Sequence, residues 1–268
     1  MKCIIFCVNY NSYSSLYNYL DSLEKALIMV QSTIELAVLI CDNSKIVEKV
    51  DGEYGFEIKH FPSGDNLGYF GGISYVIKKE QRYLETADYI IFSNVDLRVE
   101  KDFFMNLMTQ KFPNNIGCVA PSIYSLKEKK DRNPKILKRP TRKKLAFQIY
   151  MYKYPFIYNL YVAFLYSVRR KRLQNRDEEI IYAAHGSFII FTSYAKKFLR
   201  SMEYKAFLFG EEIFVAENLM RLNLQTIYIP SLKVIDDDHI STGKMKSSSF
   251  FKNNYKSLSI LKEEYFNE

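Results

Sequence analysis

The most informative segment of this chain is Tyr89-Ile90-Ile91-Phe92-Ser93-Asn94-Val95-Asp96, an apolar run that ends in polar residues. An apolar run of this length is typical of a buried strand in a parallel sheet. Asp96 then falls at the carboxyl end of the strand, beside the crevice where α/β sheets bind ligands. A carboxylate there can hold a divalent cation against a diphosphate, although a lone Asx-x-Asp after a strand is more often a turn or a helix cap. The residues that accompany Asp96 must therefore decide between the two interpretations.

Strand-like and helix-like segments alternate through the chain. The predicted strands are residues 3–8, 36–41, 57–61, 89–93, 116–120, 180–191 and 226–229. The predicted helices begin near Ser14, with leucines 16, 20, 23 and 27 on one face, and cover residues 71–85, 101–110, 211–223 and 249–265. This alternation predicts an α/β fold with a mostly parallel, doubly wound sheet and helices on both faces. We expect a single domain with two halves, residues 1–120 and 121–268.

The positive charge is concentrated in one segment. The chain carries a net charge of +8, but residues 127–172 hold 15 Lys or Arg against Glu128 and Asp131, which gives +13 there and about −5 elsewhere. We expect a helical, basic and aromatic insertion at about 127–175 and an anionic partner surface. The Tyr- and Phe-rich residues 145–168 are interrupted by Pro155 and polar residues, which argues against a membrane span. Helices on a membrane surface and helices packed within a subdomain both remain open.

The cysteines and the first residues indicate the compartment. Cys3, Cys7, Cys41 and Cys118 lack the spacing of zinc ligands, so we predict reduced, buried thiols. The apolar run after Lys2 is too short for a signal peptide and resembles a first strand. We therefore predict a cytoplasmic protein, with association at the inner face of the cell membrane as an extension.

Two further motifs of the first half could bind a ligand. Asp42-Asn43-Ser44 follows a predicted strand, and its carboxylate can accept the imide N–H of uracil or thymine, although an Asx turn is favoured for the tripeptide alone. Asn66-Leu67-Gly68 and Gly71-Gly72 precede a helix, where glycines permit close backbone approach and the helix N-terminus favours anions. The segment is neither a phosphate-binding P-loop nor the dinucleotide fingerprint.

Two motifs of the second half also have alternatives. Glu211-Glu212 opens a predicted helix, where the pair is either a simple cap or a general base for an acceptor hydroxyl. His239 follows three aspartates and precedes Lys244, which indicates either a solvated acidic turn or a histidine that binds metal or phosphate.

Taken in order, these motifs resemble the family 2 glycosyltransferases of the GT-A fold. The resemblance is to the bacterial branch that builds surface polysaccharides, which includes rhamnosyl- and galactofuranosyltransferase-like members. It runs from Val8-Asn9-Tyr10-Asn11 to about Lys244. The motifs that carry it are Asp42-Asn43-Ser44, Asn66-x-Gly68 with Gly71-Gly72, Asn94-x-Asp96, Gly186, Glu211-Glu212 and His239.

The resemblance implies a nucleotide-sugar (donor) binding half at 1–120, an acceptor-binding half at 121–268 and a role for each of these positions. The donor-binding residues that it implies are Asn9, Asn11, Asp42, Asn66, Gly68, Asn94 and Asp96, with Asp42 on the base. Asp96 and His239 would hold Mg²⁺ or Mn²⁺. The family's Glu-Asp pair is Glu211-Glu212 here, so the catalytic base is Glu212 or Glu211, and the first acid of the Asp-x-Asp-like motif is Asn94.

The resemblance thus implies an inverting, metal-dependent glycosyltransferase. Its partners would be a UDP- or dTDP-sugar donor and a glycan or lipid-linked saccharide acceptor, with no nucleic acid. One alternative is a nucleotidyltransferase, which needs a Gly- and Lys/Arg-rich loop after the first strand, where this chain has Asn9-Tyr10-Asn11-Ser12. The other is a non-enzymatic module that binds membranes or polyanions through residues 127–172.

Overall fold

The structure is a computed structural model that describes residues 1–30, 34–168, 177–237 and 246–267, with side chains described to residue 162 in the second range. His239 and the basic run 169–172 lie outside the described residues. The described strands are β1 (Lys2–Asn9), β2 (Glu35–Asp42), β3 (Glu57–Pro62), β4 (Tyr89–Asn94), β5 (Leu97–Val99), β6 (Ile116–Ser125), β7 (Lys130–Asp131), β8 (Glu179–Ile181), β9 (Phe188–Thr192) and β10 (Gln225–Asp236). The α-helices are α1 (Tyr13–Ile28), α2 (Tyr69–Lys79), α3 (Arg82–Thr86), α4 (Phe103–Thr109), α5 (Arg142–Lys153), α6 (Pro155–Val168), α7 (Lys196–Arg200), α8 (Glu211–Arg221) and α9 (Ser247–Tyr265).

All the described strands belong to one sheet. Its main order is β3-β2-β1-β4-β9-β6-β10-β5, with β7 beside β6 and β8 beside β10. The first four strands are mutually parallel, whereas β9 runs antiparallel between β4 and β6. The predicted α/β class is confirmed, with a parallel first half and a mixed second half.

Helices cover both faces of this sheet, as predicted. Side chains of β1 alternate between two cores, with Ile4 and Phe6 in one and Cys3, Ile5 and Cys7 in the other. The first core is closed by α2, α3, α7, α8 and α9, and the second by α1 and α4. The leucine face of α1 lies in the second core. All four cysteines are buried free thiols, as predicted.

Several predicted boundaries are wrong. The helix expected at 71–85 is interrupted after Lys79, so it forms α2 and α3. The strand expected at 180–191 is divided into β8 and β9 by residues 182–187. The strand expected at 226–229 continues to Asp236, because β6 and β5 supply partners for its far end. Short β5 was missed since its three residues carry little periodicity.

The aromatic insertion forms a helical pair on the C-terminal helix. Tyr152 of α5 and Tyr158 of α6 stack on each other, and both contact Phe250 and Phe251 of α9. Leu145 of α5 is also buried. None of the described helices has both the length and the apolar character needed to cross a bilayer. The inner side of the insertion is thus packed as in a subdomain.

Candidate active site at the carboxyl edge of the sheet

The polar ends of β1, β2 and β4 meet at one edge of the sheet. Asn9 is in register with Asp42, and Val8 is in register with Asn94. The Asn43 backbone N–H donates to the Asn9 carbonyl over 2.9 Å. The parallel register therefore brings together three of the predicted donor-binding residues.

Asp42 is fully buried, and its partners come from three elements. Its Oδ2 accepts hydrogen bonds from the Tyr13 hydroxyl (2.7 Å) and from His60 Nε2 (2.8 Å), and its Oδ1 accepts from the Ser44 backbone N–H (2.9 Å). Burial opposes ionisation, but the hydrogen bonds from His60, Ser44 and Tyr13 outweigh it and hold the Asp42 pKa well below its ordinary value. The carboxylate has no exposed surface, so contact with a nucleoside base requires that Tyr13 or His60 move.

Asn11 belongs to the same network. Its backbone N–H donates to Ser44 Oγ over 2.8 Å, and its φ of 51° places it in the left-handed region that asparagine tolerates. The Asn9 side chain donates to both Asp42 and Ser44, each over 3.4 Å. These two asparagines position the Asp42 loop, and donor contact by either remains a prediction.

The Asn66–Gly68 turn is tied to the same edge. Asn43 Nδ2 donates to the Gly68 carbonyl (3.0 Å), and Asn66 Oδ1 accepts from the Gly68 backbone N–H (3.0 Å). Gly68 has φ +74°, and a Cβ there would lie 2.2 Å from the Phe207 carbonyl oxygen. Glycine is therefore required at 68 because the backbone at Phe207 approaches it closely.

Asp96 and Tyr69 connect the two halves of this edge. Asp96 is half-buried two residues beyond β4, and the Asn94 backbone N–H donates to the Ser187 carbonyl over 2.8 Å. The Tyr69 hydroxyl is buried and has no hydrogen-bond partner within the described residues. Burial raises its pKa well above the ordinary value, and the charges of Glu211 and Asp96 add to the effect. Tyr69 thus lies within electrostatic reach of carboxylates from both halves.

A constrained loop delivers the glutamate pair. Phe209 has φ 69°, a conformation that costs a bulky residue about 1–3 kcal/mol, and Gly210 follows at φ 88°. The Tyr204 hydroxyl donates to the Phe209 carbonyl, and Ser257 Oγ donates to the Leu208 carbonyl over 2.6 Å. Phe250 of α9 packs on the Phe209 ring, 5.3 Å between centroids. Strained backbone held by several contacts is a feature of functional loops.

Glu211 and Glu212 occupy different environments at the start of α8. Glu211 is buried, and its Oε1 accepts from the Phe209 backbone N–H over 3.0 Å. Burial, followed by the negative charge of Glu212, raises the Glu211 pKa to about 8. The Glu212 side chain is about one fifth exposed, and its Oε1 lies 3.7 Å from Lys135 Nζ. Burial therefore favours the protonated form of Glu211, and Glu212 is the more exposed carboxyl of the pair.

Lys135, which approaches Glu212, belongs to a segment that hydrogen bonds hold in place. The neighbouring Ile136 exchanges two backbone hydrogen bonds with Ala183 (3.1 and 3.0 Å). The His185 backbone N–H donates to Asn133 Oδ1 (2.7 Å). Burial, followed by the charges of Lys135 and Arg132, lowers the His185 pKa well below its ordinary value, so the ring is neutral. This segment places the ammonium group of Lys135 beside the partly exposed carboxyl group of Glu212.

Gly186 lies opposite the glutamate pair. A Cβ built on Gly186 would meet Glu212 Oε1 at 3.6 Å and Glu211 Cβ at 3.7 Å, both ordinary contacts. The backbone at 186 therefore forms a wall of the space in front of Glu212. A larger side chain would narrow that space.

The described residues fit a metal that arrives with a diphosphate. Within those residues, no three His, Cys, Asp or Glu side chains form a ready-made metal cluster. Mg²⁺ is commonly held by one or two carboxylates together with substrate phosphates and water, so the half-buried Asp96 suits this chemistry. Two other acids are already ion-paired: Asp236 contacts Arg132, and Asp237 Oδ1 accepts from Arg98 at 2.6 Å. The ligand role of His239 lies outside the described residues.

The structure brings most of the predicted site residues to one edge of the sheet. Asn9, Asn11, Asp42, Asn66 and Gly68 form one hydrogen-bonded network. Asp96 and Glu211 both raise the pKa of the buried Tyr69 hydroxyl, and Glu212 follows Glu211 at the start of α8. Sequence reasoning missed His60, Tyr13, Tyr69 and Lys135. Only the pairing of strands and loops reveals them, because each is an ordinary residue in an ordinary local pattern.

Comparison with known proteins supports the fold. No family model and no curated protein matches the sequence. The crystal structure of GalNAc-T7 with UDP, GalNAc and Mn²⁺ aligns with all of this chain and 48% of its own, with a TM-score of 0.60 and 10% identity. The structure of S. aureus TarS 1–349 in complex with UDP-GlcNAc aligns with all of this chain and 68% of its own, with a TM-score of 0.54 and 12% identity.

These likenesses concern the fold alone. The chain spans about half the length of the GalNAc-T7 chain. The GT-A-like fold implied by the sequence resemblance is confirmed. Membership of family 2 and of its surface-polysaccharide branch stays a prediction.

Proposed function

We propose that this chain is a glycosyltransferase that moves a sugar from a nucleoside diphosphate sugar to an acceptor hydroxyl. The observation that carries the proposal is the glutamate pair on α8. One carboxyl is buried in a way that favours its protonated form, and the other is partly exposed, 3.7 Å from Lys135 Nζ. The two solved structures with the same fold contain UDP and UDP-GlcNAc. A base on one side and a diphosphate site on the other suit sugar transfer.

Glu212 is the base in this proposal. It takes the proton of the acceptor O–H, and the oxygen attacks the anomeric carbon as the bond to the diphosphate oxygen breaks. The electron pair of that bond leaves with the diphosphate. Attack from the face opposite the leaving group inverts the anomeric centre, through a transition state with oxocarbenium character. Glu211, protonated and buried, keeps a second negative charge away from the reacting hydroxyl.

Lys135 and Gly186 prepare the acceptor side. Lys135 Nζ lies 3.7 Å from Glu212 Oε1, and because the pair is partly exposed to water their interaction is modest. The backbone at Gly186 leaves room for the acceptor in front of the carboxylate. Holding acceptor and donor in one orientation supplies much of the rate enhancement.

The donor lies along the carboxyl edge of β1, β2 and β4. Asn9, Asn11, Asp42, Asn66, Gly68 and Asn94 surround it, with the uracil or thymine of UDP or dTDP near Asp42. Asp96, together with His239, would hold Mg²⁺ or Mn²⁺ beside the diphosphate. The ion supplies positive charge against the charge that develops on the leaving group. The GalNAc-T7 structure contains Mn²⁺ with UDP, which supports this assignment.

The acceptor in this proposal is a growing surface glycan, presented as a lipid-linked saccharide. The reaction then takes place in the cytoplasm at the inner face of the cell membrane. The support is the basic composition of residues 127–172 and the packing of α5 and α6 on Phe250 of α9, whose ring also contacts Phe209 in the loop before the glutamate pair.

A thermal-shift screen tests the proposal. UDP, dTDP and GDP are each added with and without Mn²⁺, and the Tm is compared with that of the protein alone. A ligand that binds only the native state at 100 times its Kd stabilises it by about 2.7 kcal/mol. We expect UDP or dTDP to raise the Tm more with Mn²⁺ than without it. No shift with any nucleotide, at any metal concentration, contradicts the proposal.

A further inference from the structure

The aromatic insertion has an outer side that the protein itself does not cover. On α5, Lys143, Phe147 and Tyr150 recur at intervals of four and three residues, so they line one face of the helix, and the ring of Tyr154, at its C-cap, lies 4.9 Å from that of Tyr150. All four are exposed, and the face continues onto α6 through Phe156 and Leu160. The edge of the Phe147 ring contacts Tyr161 of α6, 5.6 Å between centroids. We call these six residues, 143, 147, 150, 154, 156 and 160, the outer face.

The size of the exposed groups sets this face apart from an ordinary surface. Phe156 is 74% exposed, Leu160 is 57% exposed and Tyr150 is 50% exposed. Contiguous apolar surface of this kind marks a site of interaction with a protein or a membrane. The inner sides of the same helices are already packed through Tyr152 and Tyr158 against α9, so the outer face has no internal role.

The charge around the outer face points to one occupant. From Arg132 to Arg176 the sequence contains no Asp or Glu. Arg132, Lys135 and Arg139 reach acids elsewhere in the chain. By contrast, the basic residues on and beside the outer face have no ion pair within the described residues; these are Lys138, Arg142, Lys143, Lys144 and Lys153. Unpaired positive charge interleaved with Tyr and Phe matches an anionic surface with an apolar interior.

We propose that the outer face docks the protein on an anionic lipid bilayer, with α5 and α6 lying in the interface plane. Tyr and Phe rings sit at the headgroup level, and the lysines contact anionic headgroups. The docking inference stands on this surface alone. Its use, to bring Glu212 to a lipid-linked acceptor, rests on the proposed function.

Vesicle co-sedimentation with the full chain tests the docking. Vesicles of phosphatidylcholine alone are compared with vesicles that also contain phosphatidylglycerol, at low and high salt. We expect binding to the anionic vesicles to be stronger, to weaken with salt because charges are screened, and to persist in part because apolar burial is not screened. Equal binding to both vesicles, or binding to neither, overturns the proposal.

Two variants separate the electrostatic and apolar contributions. Each basic side chain near an anionic surface contributes about a fivefold change in partitioning, so Lys143→Gln with Lys153→Gln should weaken binding roughly 25-fold. The matched control is Lys78→Gln with Lys197→Gln, two exposed lysines on other helices. Phe156→Ser with Tyr150→Ser should remove the salt-resistant part, whereas Ile46→Ser, at a residue 79% exposed elsewhere, should not. Equal losses in test and control variants contradict the docking face.

Two further readouts keep the outcomes distinct. Light scattering reports the oligomeric state. If the native protein does not bind vesicles but forms a dimer, and Phe156→Ser dissociates that dimer, the outer face binds a second copy of the chain. That result overturns the proposal. The Mn²⁺-dependent shift with UDP or dTDP is measured on the same variants. If the outer-face variants lose vesicle binding and keep the nucleotide shift, docking is supported. If the native protein shows the nucleotide shift but binds no vesicles, docking is overturned and the proposed function is unaffected.

Discussion

The two halves of the carboxyl edge treat their carboxylates in opposite ways. Asp42, in the first half, is ionised because His60, Tyr13 and Ser44 all donate to it. Glu211, in the second half, has one donor at 3.0 Å and a charged neighbour, so its pKa rises to about 8. A satisfied carboxylate holds a loop in place, whereas burial beside a second carboxyl opposes the ionisation of Glu211. The contrast supports the proposed division, with positioning in the first half and proton transfer in the second.

The strongest test of this contrast is Glu212→Gln. The change removes basicity and keeps shape, so sugar transfer should fall by roughly two to four orders of magnitude, the usual contribution of a general base. Donor binding, measured by the nucleotide thermal shift, should be unchanged. Glu203→Gln, at an exposed glutamate upstream of the loop, is the control. Turnover near that of the control would remove Glu212 from the role.

Asp96→Ala tests whether the metal belongs to the first half. With Asp96 as the carboxylate ligand, the variant should lose the Mn²⁺-dependent part of the nucleotide shift, several degrees for a domain of this size. The fold should persist, since Asp96 is only half-buried. Asp177→Ala, at an exposed position, serves as the comparison. An undiminished Mn²⁺ effect in the Asp96 variant means that the ligand lies elsewhere.

Asp42→Asn measures how far the first half depends on its buried charge. The loss of a buried, charged hydrogen-bond acceptor should cost about 1–3 kcal/mol of unfolding free energy. Because folding lowers the Asp42 pKa, this stability is present above the ordinary value of 3.8 and is lost as the pH falls below it. Denaturant titrations from neutral to acidic pH should show the difference from the native sequence shrinking. A constant difference would assign the cost to packing.

Glu211→Gln reverses the sign of the pH dependence. Folding raises the Glu211 pKa from 4.5 to about 8, so the native sequence loses stability as the pH rises through that window. The variant cannot ionise and should lack that loss. Its Tm should therefore gain on the native Tm as the pH rises from 5 to 8. Parallel Tm curves over that range would show that Glu211 does not titrate there.

The sequence predicted the first half of the fold well and the second half less well. Long apolar runs such as residues 89–93 establish a buried strand, and alternating helices imply parallel neighbours. The direction of β9 could not be predicted, because an apolar run carries no information on whether its neighbours run parallel. The split of residues 180–191 into β8 and β9 depends on pairing with β10 and β4, which lie far away in the sequence.

The sequence indicated candidate residues where the spacing is recognisable and gave no sign of the residues that contact them. Asp42, Asp96 and Glu211-Glu212 each follow a strand end or open a helix. His60 lies within a strand, and Lys135 lies in a basic stretch that resembles solvated surface. Their contacts with Asp42 and Glu212 span 18 and 77 residues of sequence, so only the folded chain shows them. The choice between Glu211 and Glu212 likewise depends on burial, which adjacent identical residues do not reveal.

The contact between Gly68 and Phe207 has a consequence for how this sequence can diverge. Any side chain at 68 would collide with the Phe207 carbonyl, and the loop that contains Phe207 is fixed by Tyr204, by Ser257 and by its own left-handed residues. A larger residue at 68 is tolerated only if the turn at 207–210 moves away, and that movement would displace Glu211 and Glu212. In descendants of this chain the turn at 66–68 and the turn at 207–210 should therefore be inherited as a matched pair. Recombination that exchanged one half without the other would separate them.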